Sequence, residues 1–429
     1  MTALERLYQK YAAAGKVSTD TRQIEPGSLF FCLRGERFNG NTFAEEALRQ
    51  GAGTVVLDDP AFAHLPDTVL VEDALTALQD LARHHRSKLD IPVIGLTGSN
   101  GKTTSKELVH AVLSRRFRTL ATRGNLNNHI GVPLTVLSIR PDTEVAIIEM
   151  GANHVGEIAL LCSIARPTHG FITNIGKAHI GTFGGFENIV RGKTELFQHL
   201  REVDGTVFIN SLNPILEPMK KRFAHPVLYP AKGDFIHVEL VSSDPKLVFR
   251  ADSGEPVTTQ LTGDYNFENI AVSLAIGKHF GVEKQVAEEA VAQYTPSNMR
   301  SQIVQRGTNT IILDAYNANP SSMEAAIRNL RNLRVPKKAV ILGDMFELGE
   351  ETQEEHRALG AMLADSGFDV IYLCGDHMAA AAAACPQARY FKSRSDLAQA
   401  LQDGPLTDTT VLIKASRGMG LEALTEVIR

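Results

Sequence analysis

The sequence predicts an α/β protein of three units: a small mixed α/β unit, a central unit on a mainly parallel sheet, and a second doubly wound unit. Three observations carry this. The chain has 429 residues, which at ordinary domain size divides into about three. From residue 91 onward, short apolar runs of strand length alternate with helix-like segments, the pattern of crossover connections over a parallel sheet covered on both faces. Residues 226–262 interrupt that rhythm, and it resumes after Arg300. The boundaries this sets are residues 1–88, 89–296 and 297–429.

In the first unit a polar stretch over 18–22 leads to the turn pair Pro26-Gly27. The apolar run 29–33 has the length of a buried strand. Residues 42–50 read as a helix stopped by Gly51, a C-terminal cap signal, and 55–57 and 69–71 as short strands. The second unit has strand runs at 93–96, 145–148, 171–173 and 207–209, then short alternating segments over 226–262 that predict an antiparallel excursion. A helix over 267–280 ends before Gly281, and residues 294–297 (Tyr-Thr-Pro-Ser) have linker composition. In the third unit strands are expected at 310–314, 338–342, 369–373 and 410–413. Helices are expected at 321–332, 352–365, 394–402 and 420–428, with a further alanine-rich helical run over 379–384.

Hydrophobic residues make up 43% and charged residues 22%, enough for several ordinary cores. A net charge of -5 argues against a general nucleic-acid binder, although a local cation cluster can still hold an anionic substrate. Cys32, Cys162, Cys374 and Cys385 follow no metal-like or disulfide-like spacing and read as buried thiols of a reducing compartment. The N-terminus lacks a secretory pattern, and no apolar run approaches the roughly 20 residues a bilayer needs. A cytoplasmic protein is the expectation.

The sharpest chemical signal is IGLTGSNGKTT over 94–104. An apolar strand feeds a loop of Gly98, Ser99, Asn100 and Gly101, followed by Lys102, Thr103, Thr104 and good helix formers. Glycines let the backbone curl so that successive N–H groups aim at phosphate oxygens. The lysine reaches terminal phosphates, and the next hydroxyl can ligate Mg²⁺. Leu96 stands where the first glycine of the standard P-loop would fall, so Gly98 makes a tighter turn. Such a loop means a nucleotide and no more, since motors, kinases, GTPases and ligases all share it.

Other polar groups converge on the same rim. Residues 146–151 (AIIEMG) put Glu149 at the carboxyl end of a buried strand, where ligands sit in open α/β sheets. A carboxylate there suits Mg²⁺; a capping carboxylate is the plain alternative. Residues 173–179 (TNIGKAH) bring His179 to that edge. In RGKTELF (191–197), Lys193 falls at the start of a helical stretch and by itself reads as a solvated lysine. Residues 122–133, with Asn125, Asn127 and Asn128, form a dense polar loop suited to an anionic ligand or to satisfying its own backbone.

Taken together, TGSNGKTT, IIEMG, NIGKAHI, GKTELF and GDYNFENI, in this order along nearly the whole chain, resemble the Mur ligase family of peptidoglycan amino-acid-adding enzymes. The resemblance implies an N-terminal UDP-binding domain, a central P-loop-type ATPase domain, and a C-terminal Rossmann-like domain that brings the incoming amino acid or dipeptide. STDTR (18–22), PG (26–27) and GERFNG (35–40) are similar to the N-terminal domain of the third-residue-adding and dipeptide-adding members, implying substrate contacts at Thr21 and Arg22. DAYNANP (314–320) and GDMFELG (343–349), with His356 following, are similar to the dipeptide-adding branch and imply Asn317 and Asn319 at the substrate. The DNPR signature of diaminopimelate-adding members is absent. Asn41 and Tyr265 stand where the family more often has histidine.

The resemblance also implies a reaction: ATP phosphorylates the terminal carboxylate of a UDP-N-acetylmuramoyl-tripeptide, and the amine of D-alanyl-D-alanine attacks the acyl phosphate. Lys102, Glu149, His179 and Lys193 would be catalytic. Two Mg²⁺ ions are implied, one on Thr103 and Glu149, the other near His179 and Lys193, the lysine carrying a CO₂-derived carbamate. Asn266 and Asn269 would face adenine, Arg300 phosphate and Asp314 ribose, and residues 414–417 (KASR) would help hold the substrate or the closed state. No nucleic acid partner and no membrane insertion are expected, and a monomer is. The third-residue-adding ligase, a folylpolyglutamate-type ligase and a plain P-loop ATPase or phosphotransferase stay open as alternatives.

Overall fold

A computed structural model describes residues 2–429. Its first unit is a four-stranded sheet in the order Val17–Ser18, Leu29–Phe31, Thr54–Leu57 and Thr68–Leu70, every pair parallel. The apolar run 29–33 yields strand only over Leu29–Phe31, because the chain turns into the hairpin Arg34–Gly35 and Phe38–Asn39. The expected helix at 42–50 is Ala44–Arg49, entered through a 3-10 turn. Two flanking helices escaped the sequence reading. Ala3–Ala14 starts at a Thr2 capping box, and Ala74–Arg86 starts at Asp73, whose carboxylate accepts from the Thr76 N–H.

Six parallel strands form the central sheet, ordered Val227–Tyr229, Thr206–Asn210, His169–Ile172, Val93–Thr97, Val145–Glu149 and Thr119–Ala121. Val145–Glu149 and His169–Ile172 flank Val93–Thr97 on opposite sides. The chain therefore crosses the middle strand, and the carboxyl ends of these three strands frame a crevice of the kind that binds ligands in doubly wound sheets. The antiparallel excursion is narrower than expected. Val227–Tyr229 joins the central sheet as its parallel edge, and only Val238–Ser242, Val248–Ala251 and Val257–Thr258 pair antiparallel.

The last unit is a six-stranded sheet in the order Gln302–Arg306, Asn309–Asp314, Thr410–Lys414, Lys338–Gly343, Val370–Cys374 and Arg389–Phe391. All pairs are parallel except the first. The strands at 302–306 and 389–391 are short polar edges without a clear apolar run. Residues 420–428, expected as a helix, hold only the 3-10 segment Leu421–Glu426. Helices Pro320–Asn332 and Thr352–Ala364 follow their strands.

One apolar cluster runs through all three units, from Leu7 and Leu78 through Ile148 and Leu196 to Leu330 and Leu363. Burial on this scale is the main stabilising term of such a fold. It holds the central and C-terminal sheets so that their strand ends face one cavity. No helix among the described residues is long and apolar enough to cross a membrane. The four cysteines are free and buried.

Candidate active site

A cavity of about 930 Å³ lies between the central and C-terminal units. Its floor is the loop after Val93–Thr97. Gly98 has φ +146°, and a Cβ there would fall 1.9 Å from Thr173 Oγ1, so only glycine makes this turn. The loop is stitched to residues 173–176. The Ser99 and Asn100 N–H groups donate to Asn174 O and Oδ1 at 2.9 and 3.0 Å, and Ser99 Oγ donates to Gly176 O at 2.9 Å. Helix Lys102–Leu113 then begins at Gly101 with no side-chain cap, leaving its first N–H groups for an anion.

Lys102 Nζ curls back to donate to Gly98 O at 2.8 Å and Ser99 O at 3.2 Å. Burial lowers its pKa to about 8; Glu149 opposes that shift and Arg300 adds to it. Glu149 itself is 1% exposed. Its carboxylate accepts from Thr103 Oγ1 at 3.0 Å and from Asn127 Nδ2 at 2.8 Å. Its own N–H donates to Thr122 Oγ1 at 2.9 Å.

Lys193 is neither at a helix start nor solvated. It lies inside helix Phe186–Glu202, is 1% exposed, and donates to Ala152 O at 3.1 Å. Its ammonium nitrogen is 5.3 Å from the Phe183 ring centroid. Burial, followed by the charge of Lys102, pushes its pKa well below the usual lysine range. The residues lining the cavity do not include it; it stands behind the Gly151–Ala152 wall. His179 does line the cavity, where its Nδ1 is paired with the carboxylate of Glu347 from the C-terminal unit.

The far wall comes from the junction. Asn269 Nδ2 donates to Asn266 Oδ1 at 3.0 Å, and Ser105 Oγ to Asn269 Oδ1 at 2.8 Å. The two asparagines thus brace the phosphate-loop helix as well as facing the cavity. Asp314 accepts from Ser301 N at 3.2 Å and from Lys414 Nζ at 2.6 Å. The Arg300 guanidinium lies 3.8 Å over the Tyr316 ring. Asn319 caps helix Pro320–Asn332 through its Oδ1, while its Nδ2 donates to Asn100 Oδ1 at 2.8 Å. Asn317 and Asn125 line the same space.

Some expected residues have other work. Asn128 lines the cavity, but its Oδ1 accepts from the N–H groups of Ile130 and Gly131. The expected polar loop thus ends earlier, at helix Gly131–Leu137. Thr21 and Arg22 are outside the cavity; Arg22 points to solvent, paired with Asp20. Asn41 is fully buried and braces Asp58 by hydrogen bonds at 2.8 and 3.1 Å. A second cavity of about 310 Å³ shares Gly176 and Ser321 with the first; Lys177 at its rim is paired with Glu355 at 2.6 Å.

Each unit matches a domain model of one family. Residues 15–86 match the Mur ligase family catalytic domain, 96–277 the Mur ligase middle domain and 299–417 the Mur ligase glutamate ligase domain. The chain is 36% identical over 431 residues to the UDP-N-acetylmuramoyl-tripeptide–D-alanyl-D-alanine ligase of Bacillus subtilis (strain 168), covering 96% of this chain and 92% of that one. The chain belongs to the Mur ligase family. Among solved Mur ligases, MurF from Acinetobacter baumannii superposes with a TM-score of 0.88 at 30% identity, over 99% of this chain and 97% of that one. MurF from Thermotoga maritima in complex with ADP gives a TM-score of 0.85 at 27% identity, with 96% of each chain covered.

In this Mur ligase one cation of the site was not expected from sequence. Lys106 is 3% exposed and holds its Nζ 3.8 Å from Glu149 Oε2. Its only sequence signal is position: one helical turn after Lys102, it shares that residue's side of the helix. The carboxylate of Glu149 thus has a charge partner, without which burying it would be costly.

Proposed function

We propose that this Mur ligase uses ATP to join D-alanyl-D-alanine to the terminal carboxylate of a UDP-N-acetylmuramoyl-tripeptide through an acyl phosphate. The observation that carries this is one cavity lined by both the phosphate loop and the Asp314–Asn319 block of the C-terminal unit. Nucleotide, carboxylate and amine can meet there. The units at 1–88, 89–296 and 297–429 would bind the UDP-sugar, the ATP and the incoming dipeptide. The precursor chemistry fits a cytoplasmic enzyme, and the proposed state is a monomer.

An amide does not form from a carboxylate and an amine in water without activation, because oxide is too poor a leaving group. The carboxylate must first approach a triphosphate, so cations have to offset the repulsion. Lys102 and the open helix N-terminus face the phosphates; Arg300 approaches from the junction, with Asp314 at ribose and Asn266 and Asn269 at adenine. Positioning and charge stabilisation, more than covalent help from the protein, lower the barrier.

Thr103 Oγ1 and Glu149 supply two oxygen donors 3.0 Å apart, which suits Mg²⁺ completed by phosphate oxygens. When bound, Mg²⁺ would neutralise charge on the transferring phosphoryl group. The second site, near His179, needs another anion. No group of three His, Cys, Asp or Glu stands together among the described residues. A carbamate on Lys193 would supply that anion, since burial favours the neutral amine that adds CO₂, although Lys193 stands behind the Gly151–Ala152 wall of the cavity.

The free amine of the dipeptide then attacks the acyl carbon, a tetrahedral intermediate forms, and phosphate leaves. Beyond Ser321 the smaller cavity offers room next to the larger one. A coupled phosphate-release assay tests the proposal. Release should require both the UDP-muramoyl-tripeptide and D-alanyl-D-alanine, and equal ATP hydrolysis without either would refute it.

A further inference from the structure

Residues 294–298 carry the chain out of the central unit, and one carboxylate holds both ends of that run. Tyr294 Oη donates to Glu107 Oε2, and Asn298 Nδ2 donates to Glu107 Oε1 at 2.9 Å. Glu107 belongs to helix Lys102–Leu113, whose first residue is the phosphate-loop lysine. Neither Glu107 nor its two partners line the cavity.

Two residues beyond Asn298 stands Arg300, between Met299 at φ +57° and Ser301 at φ +51°. Non-glycine residues in the left-handed region are strained and persist only where their surroundings fix them. Here the surroundings do so. Gln302 Oε1 accepts the Met299 N–H at 3.2 Å, Asp314 Oδ1 accepts the Ser301 N–H at 3.2 Å, and Ser301 Oγ is 2.8 Å from the Tyr265 hydroxyl. The result is an arginine stacked on Tyr316, its buried Nε without a hydrogen-bond partner among the described residues. Of these anchors, Glu107 is the one that comes from the phosphate-loop helix.

We infer that Glu107 is a positioning residue for Arg300. It ties the linker to the phosphate-loop helix, so that Lys102 and Arg300 meet the nucleotide in one fixed register. The inference rests on Arg300 contacting ATP, as proposed above.

A double-mutant cycle on the full chain tests it. Glu107→Ala should raise the KM for ATP about tenfold and leave the KM for the UDP-muramoyl-tripeptide within about twofold. Glu107→Gln keeps an acceptor for Asn298 and should recover most of the loss. In an Arg300→Ala background the Glu107→Ala change should matter by less than about twofold, because no guanidinium is left to place. Asn298→Ala breaks the same link from the other side and serves if the Glu107 variant is poorly folded. Equal losses in both backgrounds, or native ATP affinity in Glu107→Ala, would overturn the inference while leaving the ligase proposal intact. An unchanged KM for ATP in Arg300→Ala alone would remove the nucleotide role of Arg300, and this inference with it.

Discussion

Asn319 and Asn100 are joined by a 2.8 Å hydrogen bond, from the first cap of a C-terminal-unit helix to the middle of the phosphate loop. The same Asn319 side chain caps its own helix through Oδ1. One residue therefore reports local helix stability and contact between units at once.

Two substitutions separate those roles. Asn319→Ala loses cap and bridge, and should lower unfolding free energy by about 1 kcal/mol as well as raise the KM for ATP. Asn319→Ser keeps a capping oxygen but is too short to reach Asn100, so stability should return while the KM stays high. Urea unfolding and initial-rate kinetics on both variants check this; a Ser variant with native KM would make the bridge idle.

Lys102→Ala should fold normally, since Gly98 and the bonds to residues 173–176 shape the loop without it. Turnover should fall on the order of 10² to 10³. Circular dichroism with a steady-state assay would expose the error if activity stayed near native.

That loop was legible from sequence because its glycines, lysine and hydroxyls are contiguous, as was Glu149 at a strand end. Lys193 was not legible as a buried group. Which face of Phe186–Glu202 turns inward is set by packing against Phe183 and Ala152, and a lone lysine gives no sign of it. The contacts Glu107 makes with Tyr294 and Asn298 join residues far apart in sequence, beyond any local period. Gln302–Arg306 was missed because its alternate residues are exposed and the rest only half-buried; Val227–Tyr229 fell in the expected run of short strands but was given the wrong sheet, because a three-residue strand carries no hint of which sheet it joins.

Lys193→Ala should be nearly inactive yet folded, since helix Phe186–Glu202 keeps its other buried residues, at some cost for the emptied volume against Phe183. If the lysine acts as a carbamate, a short carboxylate diffusing into the vacated space should restore part of the rate, and bicarbonate depletion should slow the native enzyme. No rescue by formate or acetate, together with indifference to bicarbonate, would count against the carbamate.

Burial, with His279 adding to it, lowers the His169 pKa from 6.5 to about 4. Between those values the unfolded chain takes up a proton that the folded chain refuses. Stability is therefore fully present above pH 6.5 and falls as pH drops toward 4, by up to about 3 kcal/mol from this group. His169→Phe, which keeps a ring against His279 and Phe280, should flatten that slope. Denaturant melts at pH 7, 6, 5 and 4.5 give the comparison, and an unaltered slope would mean His169 carries none of it.

The central claim is that a substrate carboxylate is phosphorylated and then displaced by an amine. The most direct test starts from tripeptide labelled with ¹⁸O in its terminal carboxylate, turned over with ATP and D-alanyl-D-alanine. Mass spectrometry of the released phosphate should find one labelled oxygen per turnover, the other staying in the new amide. Unlabelled phosphate, with the oxygen lost from the carboxylate recovered in AMP or in water, would contradict the account.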